Sequence, residues 1–219
     1  MTQPVIAVID YGIGNLRSAE KALQKVGANV CSTSDPAVID AARAVVLPGV
    51  GAFGACMTAL RRHGLDDAVH RAVEDGRPFL GICVGMQMLF ETSEEDPEAS
   101  GLGVIPGAVR RIPEGVKHPQ MQWNRLNVLQ PSDPAFAGRH FAARTSDPWV
   151  YFVHSFHGVP DDPSTVAATC EYGTTLNAAF RRRNVFATQF HPEKSGATGL
   201  AVLENFVASV SGRGPQWVQ

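Results

Sequence analysis

Apolar residues in the first half of the chain fall into short unbroken runs. Residues 5–10 (VIAVID) are almost all apolar, end in an acid and are followed by Gly12 and Gly14. Such a run suits a strand buried on both faces of a parallel sheet and entering a loop at its carboxyl edge. Leu16, Ala19, Leu23 and Val26 then recur at helical spacing, Gly27 stands where a helix cap would, and residues 28–32 read as a second strand. The alternation continues with Asp35-Pro36 as a helix start, strands at 44–47 (AVVL) and 78–82 (PFLGI), and helical stretches between 53 and 75. This predicts an α/β fold built on a mostly parallel, open sheet flanked by helices.

From about residue 105 the pattern shifts to short β-prone runs such as 149–154 (WVYFVH) and 165–170 (TVAATC), broken by Pro, Gly, Asn and Asp. An antiparallel β section is expected in this second half. Runs 176–180 (LNAAF) and 185–190 (VFATQF) flank Arg181 to Asn184 as a hairpin would, and 197–210 reads as a closing helix. No linker is long enough to split the chain, so a single domain over 1–212 is expected, with 213–219 a frayed tail. Segment 91–101 (ETSEEDPEASG) reads as an acidic surface loop.

With 219 residues and 44% hydrophobic content, the chain is long enough to bury one sizeable core. A net charge of -2 provides no basic field for nucleic acid or an anionic membrane surface. The four cysteines, at 31, 56, 83 and 170, contain no C-x-x-C pair, which argues against a zinc site and a disulfide framework. The expectation is a cytoplasmic protein without export signal, membrane anchor, metal or cofactor.

The segment Gly81-Ile82-Cys83-Val84-Gly85 lies between an apolar strand and a helical run through Met86, Met88 and Leu89. This is the cysteine form of a nucleophile elbow, in which flanking glycines allow a sharp strand-to-helix turn that holds the nucleophile at the sheet's carboxyl edge. The helix N-terminus favours the thiolate, and the Val84 amide points the same way as the sulfur, as half of an oxyanion hole. The alternative, a small buried hydrophobe, is the better reading of Cys31, Cys56 and Cys170.

A cysteine nucleophile needs a base. Of seven histidines, His63, His70, His118 and His140 lie in polar or helical stretches. His191 ends the strand 185–190 and is followed by Pro192 and Glu193. In a segment that Pro192 keeps extended, residues two apart face the same way, so the carboxylate can orient the imidazole and stabilise its cation. His154 and His157 are rival bases without an acid two residues away. The loop Pro48-Gly49-Val50-Gly51 can bring a backbone amide to a ligand, but with no Lys-Ser, Lys-Thr or G-x-G-x-x-G it is no phosphate loop.

The segments GICVGMQ (81–87) and QFHPEKSG (189–196) resemble the class I, triad-type glutamine amidotransferases, and the resemblance spans nearly the whole chain. Within that family, YGIGN (11–15), LPGVGAF (47–53), MQWN (121–124) and YFVHSFHG (151–158) are similar to the glutaminase subunits of imidazole glycerol phosphate synthases. The resemblance implies Cys83 as nucleophile, His191 as acid/base and Glu193 as its orienter. It also implies that Val50, Gly51 and Val84 form the oxyanion hole, and that Gln87, Ser155 and Phe156 bind L-glutamine. Asn15, Trp123 and Lys194 would face the partner, a (βα)8-barrel cyclase that receives ammonia and makes imidazole glycerol phosphate and an aminoimidazole carboxamide ribotide in histidine biosynthesis. Gln122 departs from the family's usual glycine, and Phe156 from its usual tyrosine. The rival functions are an amidotransferase subunit serving another acceptor, a cysteine peptidase or esterase on a related scaffold, and a non-catalytic regulator; an intact triad disfavours the last.

Overall fold

The computed structural model describes residues 3–141, 147–214 and 217. Its first half runs β1 (Val5–Ile9), α1 (Leu16–Lys25), β2 (Asn29–Thr33), α2 (Pro36–Ala41), β3 (Ala44–Gly49), α3 (Phe53–Arg62), α4 (Asp66–Glu74), β4 (Phe79–Cys83) and the four-residue α5 (Val84–Gln87). There follow β5 (Thr92–Ser93), β6 (Gly107–Arg111), β7 (Gln120–Arg125), β8 (Asn127–Val128), β9 (Trp149–His154), β10 (Phe156–Pro160), β11 (Val166–Glu171), β12 (Thr175–Arg182) and β13 (Val185–Thr188). A 3-10 turn (Pro192–Lys194) and α6 (Gly196–Val210) close the chain.

The main sheet has eight strands in the order β2-β1-β3-β4-β13-β12-β11-β8. The pairs from β2 to β13 are parallel, and those from β13 to β8 are antiparallel. The expected antiparallel section is therefore partly an extension of the parallel sheet, and partly two small sheets, β7-β9 and the mixed β10-β6-β5, in which β5 pairs with β6 in parallel. Every residue of β3 and β4 is buried, as their unbroken apolar runs require in the middle of a helix-covered sheet. α1 turns Ala19, Ala22 and Leu23 inward, and the Asp35 side chain caps α2 by accepting the Ala37 N–H at 2.9 Å, with Pro36 in the first turn. Among the described residues no helix is long and apolar enough to cross a membrane.

Three local expectations change. The hairpin turn tightens to Arg183 and Asn184, with Arg183 at φ 51 and the Asn184 side chain donating to the Val73 and Arg77 carbonyls. The segment 91–101 is not surface throughout: Ser93 is buried in β5, and the Glu95 carboxylate accepts the Phe53 N–H at 2.8 Å. Within the tail expected to fray, Trp217 is 2% exposed. Its ring packs against Phe186 and Phe206, and the Arg181 guanidinium, held by Asp133 through two 2.7 Å bonds, lies 4.4 Å from its centroid. Burial of this indole at a hydrophobic seam outweighs the entropy of ordering its side chain.

Trp217→Ala should destabilise the chain by about 3 kcal/mol or more, because it empties a buried aromatic site. Denaturant unfolding measures this, and a loss within error of zero would mean that Trp217 does not fill that site.

Candidate active site

The carboxyl edges of β3, β4 and β13 meet beside α5. At the end of β4, Cys83 takes φ 55 and ψ −114, a conformation that costs a non-glycine residue on the order of 1–3 kcal/mol and that the surrounding backbone must enforce. The enforcement is visible next door. A Cβ at Gly85 would sit 2.0 Å from the Leu47 carbonyl oxygen, and one at Gly49 would sit 2.4 Å from the Gly85 nitrogen. The loop after β3 thus lies directly on the kink, backbone on backbone. Because α5 is only four residues long, it brings no long helix dipole to the sulfur.

A cavity of about 520 Å³ opens at this edge. It is lined by Cys83, Val84, Val50, Gly51, Gln87, Ser155, Phe156 and His191, with Asn15 and Lys194, both exposed, also on its wall. Of the residues that the resemblance assigns to the site or the partner face, Glu193 and Trp123 are off this lining. Glu193 stands behind His191, with its Oε1 2.7 Å from the ring Nδ1. The geometry that joins them differs from the expected extended segment. β13 ends at Thr188, and Pro192 starts a 3-10 turn in which the Lys194 N–H and the Ser195 hydroxyl both donate to the His191 carbonyl. Proline's fixed φ suits the first position of a turn, so the chain curls and brings the carboxylate round to the ring.

Burial alone would lower the pKa of His191, but the adjoining Cys83 sulfur and the Glu193 carboxylate outweigh it and raise it to about 9. The ring's Nε2 is buried and closes no hydrogen bond of ordinary geometry, and the Cys83 sulfur is the group beside it. His154 lies on the same cavity with the opposite shift. Burial, with His157 and His191 adding to it, lowers its pKa to about 4 against a hydrogen bond to the Phe156 carbonyl. That 2.8 Å bond to an oxygen that can only accept puts the proton on Nδ1. His157 is off the cavity, and its pKa too is lowered by burial.

Sequence reasoning missed two residues. Gln189, fully buried, accepts from Gln87 Nε2 at 3.0 Å and donates to Cys83 Sγ at 3.8 Å. Its place two residues before His191 was the available signal. Glu95 reaches the cavity from the acidic segment, where its neighbours disguised it as surface charge. Gln87 Nε2 also donates to the Phe156 carbonyl at 3.0 Å, which leaves its amide oxygen for a ligand. Trp123 lies outside, 48% exposed, edge-on to Tyr151. The paired positions Met121–Val153, Trp123–Tyr151 and Arg125–Trp149 put an apolar strip on one face of the β7–β9 ribbon, starting at Val153 on the cavity wall.

The family model for glutamine amidotransferase class-I matches residues 7–210. A Synechococcus sp. (strain JA-3-3Ab) protein named imidazole glycerol phosphate synthase subunit HisH is 51% identical over 213 residues, covering 96% of each chain. One of the same name from Geobacter sulfurreducens is 50% identical, over 92% of this chain and 97% of that protein. Among solved structures, one described as the structure of PurLQS from Thermotoga maritima aligns with a TM-score of 0.72 at 23% identity, over 94% of this chain and 98% of that one. Another, described as a glutamine amidotransferase, gives 0.71 at 22%, with the same coverage of 94% and 98%. These two share the fold.

A histidine kept neutral in the fold has a stability cost in acid. His154 binds a proton near pH 6.5 when unfolded and near 4 when folded, so stability falls as the pH drops through this window. From pH 7 to pH 5 the loss should be about 2 kcal/mol. His154→Asn, which keeps a donor for the Phe156 carbonyl, should lose that much less over the same interval in urea unfolding; parallel losses would show that His154 is not held neutral.

Proposed function

We infer the reaction from the family: the chain belongs to the class I glutamine amidotransferases, and it acts as the glutaminase subunit of an imidazole glycerol phosphate synthase in histidine biosynthesis. The observation that carries the chemistry is the 2.7 Å pairing of His191 with Glu193, behind a cavity that also bears Cys83 on a strained strand-to-helix turn.

The sulfur of Cys83 attacks the carboxamide carbon of L-glutamine, forming a C–S bond and pushing the carbonyl electrons onto oxygen. The Val84 N–H and the loop at Val50 and Gly51 hold that oxyanion. His191, protonated at neutral pH with its pKa near 9, gives its proton to the leaving nitrogen; the C–N bond breaks and ammonia departs. The now neutral ring takes a proton from water, which attacks the thioester and frees glutamate and the sulfur. Glu193 holds the ring's Nδ1–H throughout and stabilises the cation. Gln87, with Ser155 and Phe156, binds the substrate, and Glu95 supplies a carboxylate for its α-ammonium group.

Ammonia becomes ammonium in water, so the product needs a dry route to a second subunit. We assign that partner the (βα)8-barrel cyclase, docked at Asn15 and Lys194 beside the cavity and on the exposed face of Trp123. The apolar strip that runs outward from Val153 supports this placement, since water-excluding contacts begin where the ammonia would emerge.

Cys83→Ala should lower glutamine-dependent synthesis by about 10⁴-fold or more while synthesis from an ammonium salt continues in the complex. Loss of both activities would make the cysteine structural. Glu193→Gln should cost less than His191→Ala, because the carboxylate orients while the imidazole moves protons. Steady-state glutamate release decides between them, and a loss in His154→Ala equal to that in His191→Ala would assign the base wrongly.

A further inference from the structure

Two buried glutamines stand in line behind the cavity. Gln87, on α5, gives N–H groups of its amide to the Phe156 carbonyl and to Gln189 Oε1, both at 3.0 Å. Gln189 in turn gives an N–H to Cys83 Sγ at 3.8 Å. It is fully buried, one residue beyond β13 and off the cavity lining, and its backbone N–H is tied to the Ala178 carbonyl at 2.9 Å.

A carboxamide keeps its shape when turned end for end, so its orientation is set by what its two ends face. Both ends of this pair face acceptors. The Phe156 carbonyl, which also takes the His154 Nδ1–H, can only accept, and that puts the nitrogen of Gln87 rather than its oxygen against it. The same nitrogen then calls for an oxygen from Gln189, which leaves the Gln189 nitrogen for the Cys83 sulfur. With both N–H groups taken, Gln87 has only Oε1 to offer. That oxygen accepts nothing among the described residues and yet is not sealed in, and the cavity is what Gln87 lines.

We propose that Gln189 is a positioning residue for the substrate: by taking the second N–H of Gln87, it makes Gln87 meet glutamine as an acceptor alone, suited to an N–H or ammonium hydrogen and unsuited to a carboxylate oxygen. The inference rests on the glutaminase reading of the cavity. Without Gln189 the freed N–H of Gln87 is left unpaired in a dry site, and the amide gains by rotating to satisfy it, which takes the oxygen off the substrate. Because this acts through Gln87 on binding, ground state and transition state feel it alike, and it appears in KM.

The test uses the complex with the cyclase and measures glutamate release over a range of glutamine for wild type, Gln189→Leu, Gln189→Glu, Gln87→Ala, the Gln87→Ala/Gln189→Leu double variant and Cys83→Ala. Both replacements at 189 lack the amide N–H that meets the sulfur, and only that of Gln189→Glu can still accept from Gln87. KM for glutamine should rise about three- to tenfold in Gln189→Leu, the worth of one hydrogen bond, and stay near the wild-type value in Gln189→Glu. In the Gln87→Ala background Gln189→Leu should raise KM no further, because two residues that act through one contact are not additive. Gln189→Met, nearer in shape and with only a weakly accepting sulfur, takes the place of Gln189→Leu if that chain does not fold. The proposal is overturned if removing the acceptor leaves KM unchanged, if Gln189→Leu and Gln189→Glu raise it equally, or if Gln189→Leu raises it by the same factor with and without Gln87. Glutamate release persisting in Cys83→Ala would instead remove the glutaminase reading and this inference with it, whereas a dead Cys83→Ala beside a normal KM in Gln189→Leu would remove this inference alone.

Discussion

The contact on which the rest depends is between two stretches of backbone. Where β3 leaves the sheet, Gly49 and Leu47 press onto Gly85 at the start of α5, at a separation that admits no side chain on either glycine. The parallel pairing of β3 with β4, which puts Gly49 opposite Cys83, sets this approach. From it follow the forced kink at Cys83, the placement of the Val50–Gly51 peptide beside the sulfur, and the narrowness of the space between. A larger residue at either glycine would push the end of β3 away from the turn at Cys83.

Around that contact the protein sets two histidines to different charge states on one cavity. His191 has a carboxylate and a sulfur for neighbours and is a cation at neutral pH; His154 has a carbonyl and two other histidines and is neutral there. The difference is made by neighbours, since burial disfavours the charged form of both. A single protonated imidazole is thereby defined, and it is the one that faces Cys83.

The main sheet, the elbow at Cys83 and the His191–Glu193 pair were readable in the sequence because each depends on local pattern: apolar runs, glycines at fixed offsets, an acid two residues from a base. The sequence misled on how that acid reaches the base, because strand period and turn both bring residues two apart together, and only packing of Ser195 beneath the His191 carbonyl selects the turn. Glu95, Gln189 and Trp217 were not readable for a different reason. Each owes its position to partners far away in the chain: Glu95 to the Phe53 N–H, Gln189 to Gln87, and Trp217 to Phe186, Phe206 and Arg181. Cys56 was read as a small hydrophobe, which its burial fits; its bond to Val50 appears only when α3 folds back over the loop.

The β7–β9 ribbon sets Met121, Trp123 and Trp149 in solvent, each about half exposed or more, and only two strands support them. Such a surface is colloidally unfriendly, and among the described residues its two outer edges have no further strand in that sheet to pair with. A cell that translated this chain in excess of its partner would accumulate a sticky orphan. If the proposed partner covers this ribbon, matched amounts of the two chains keep it out of solvent, independently of anything the cavity catalyses.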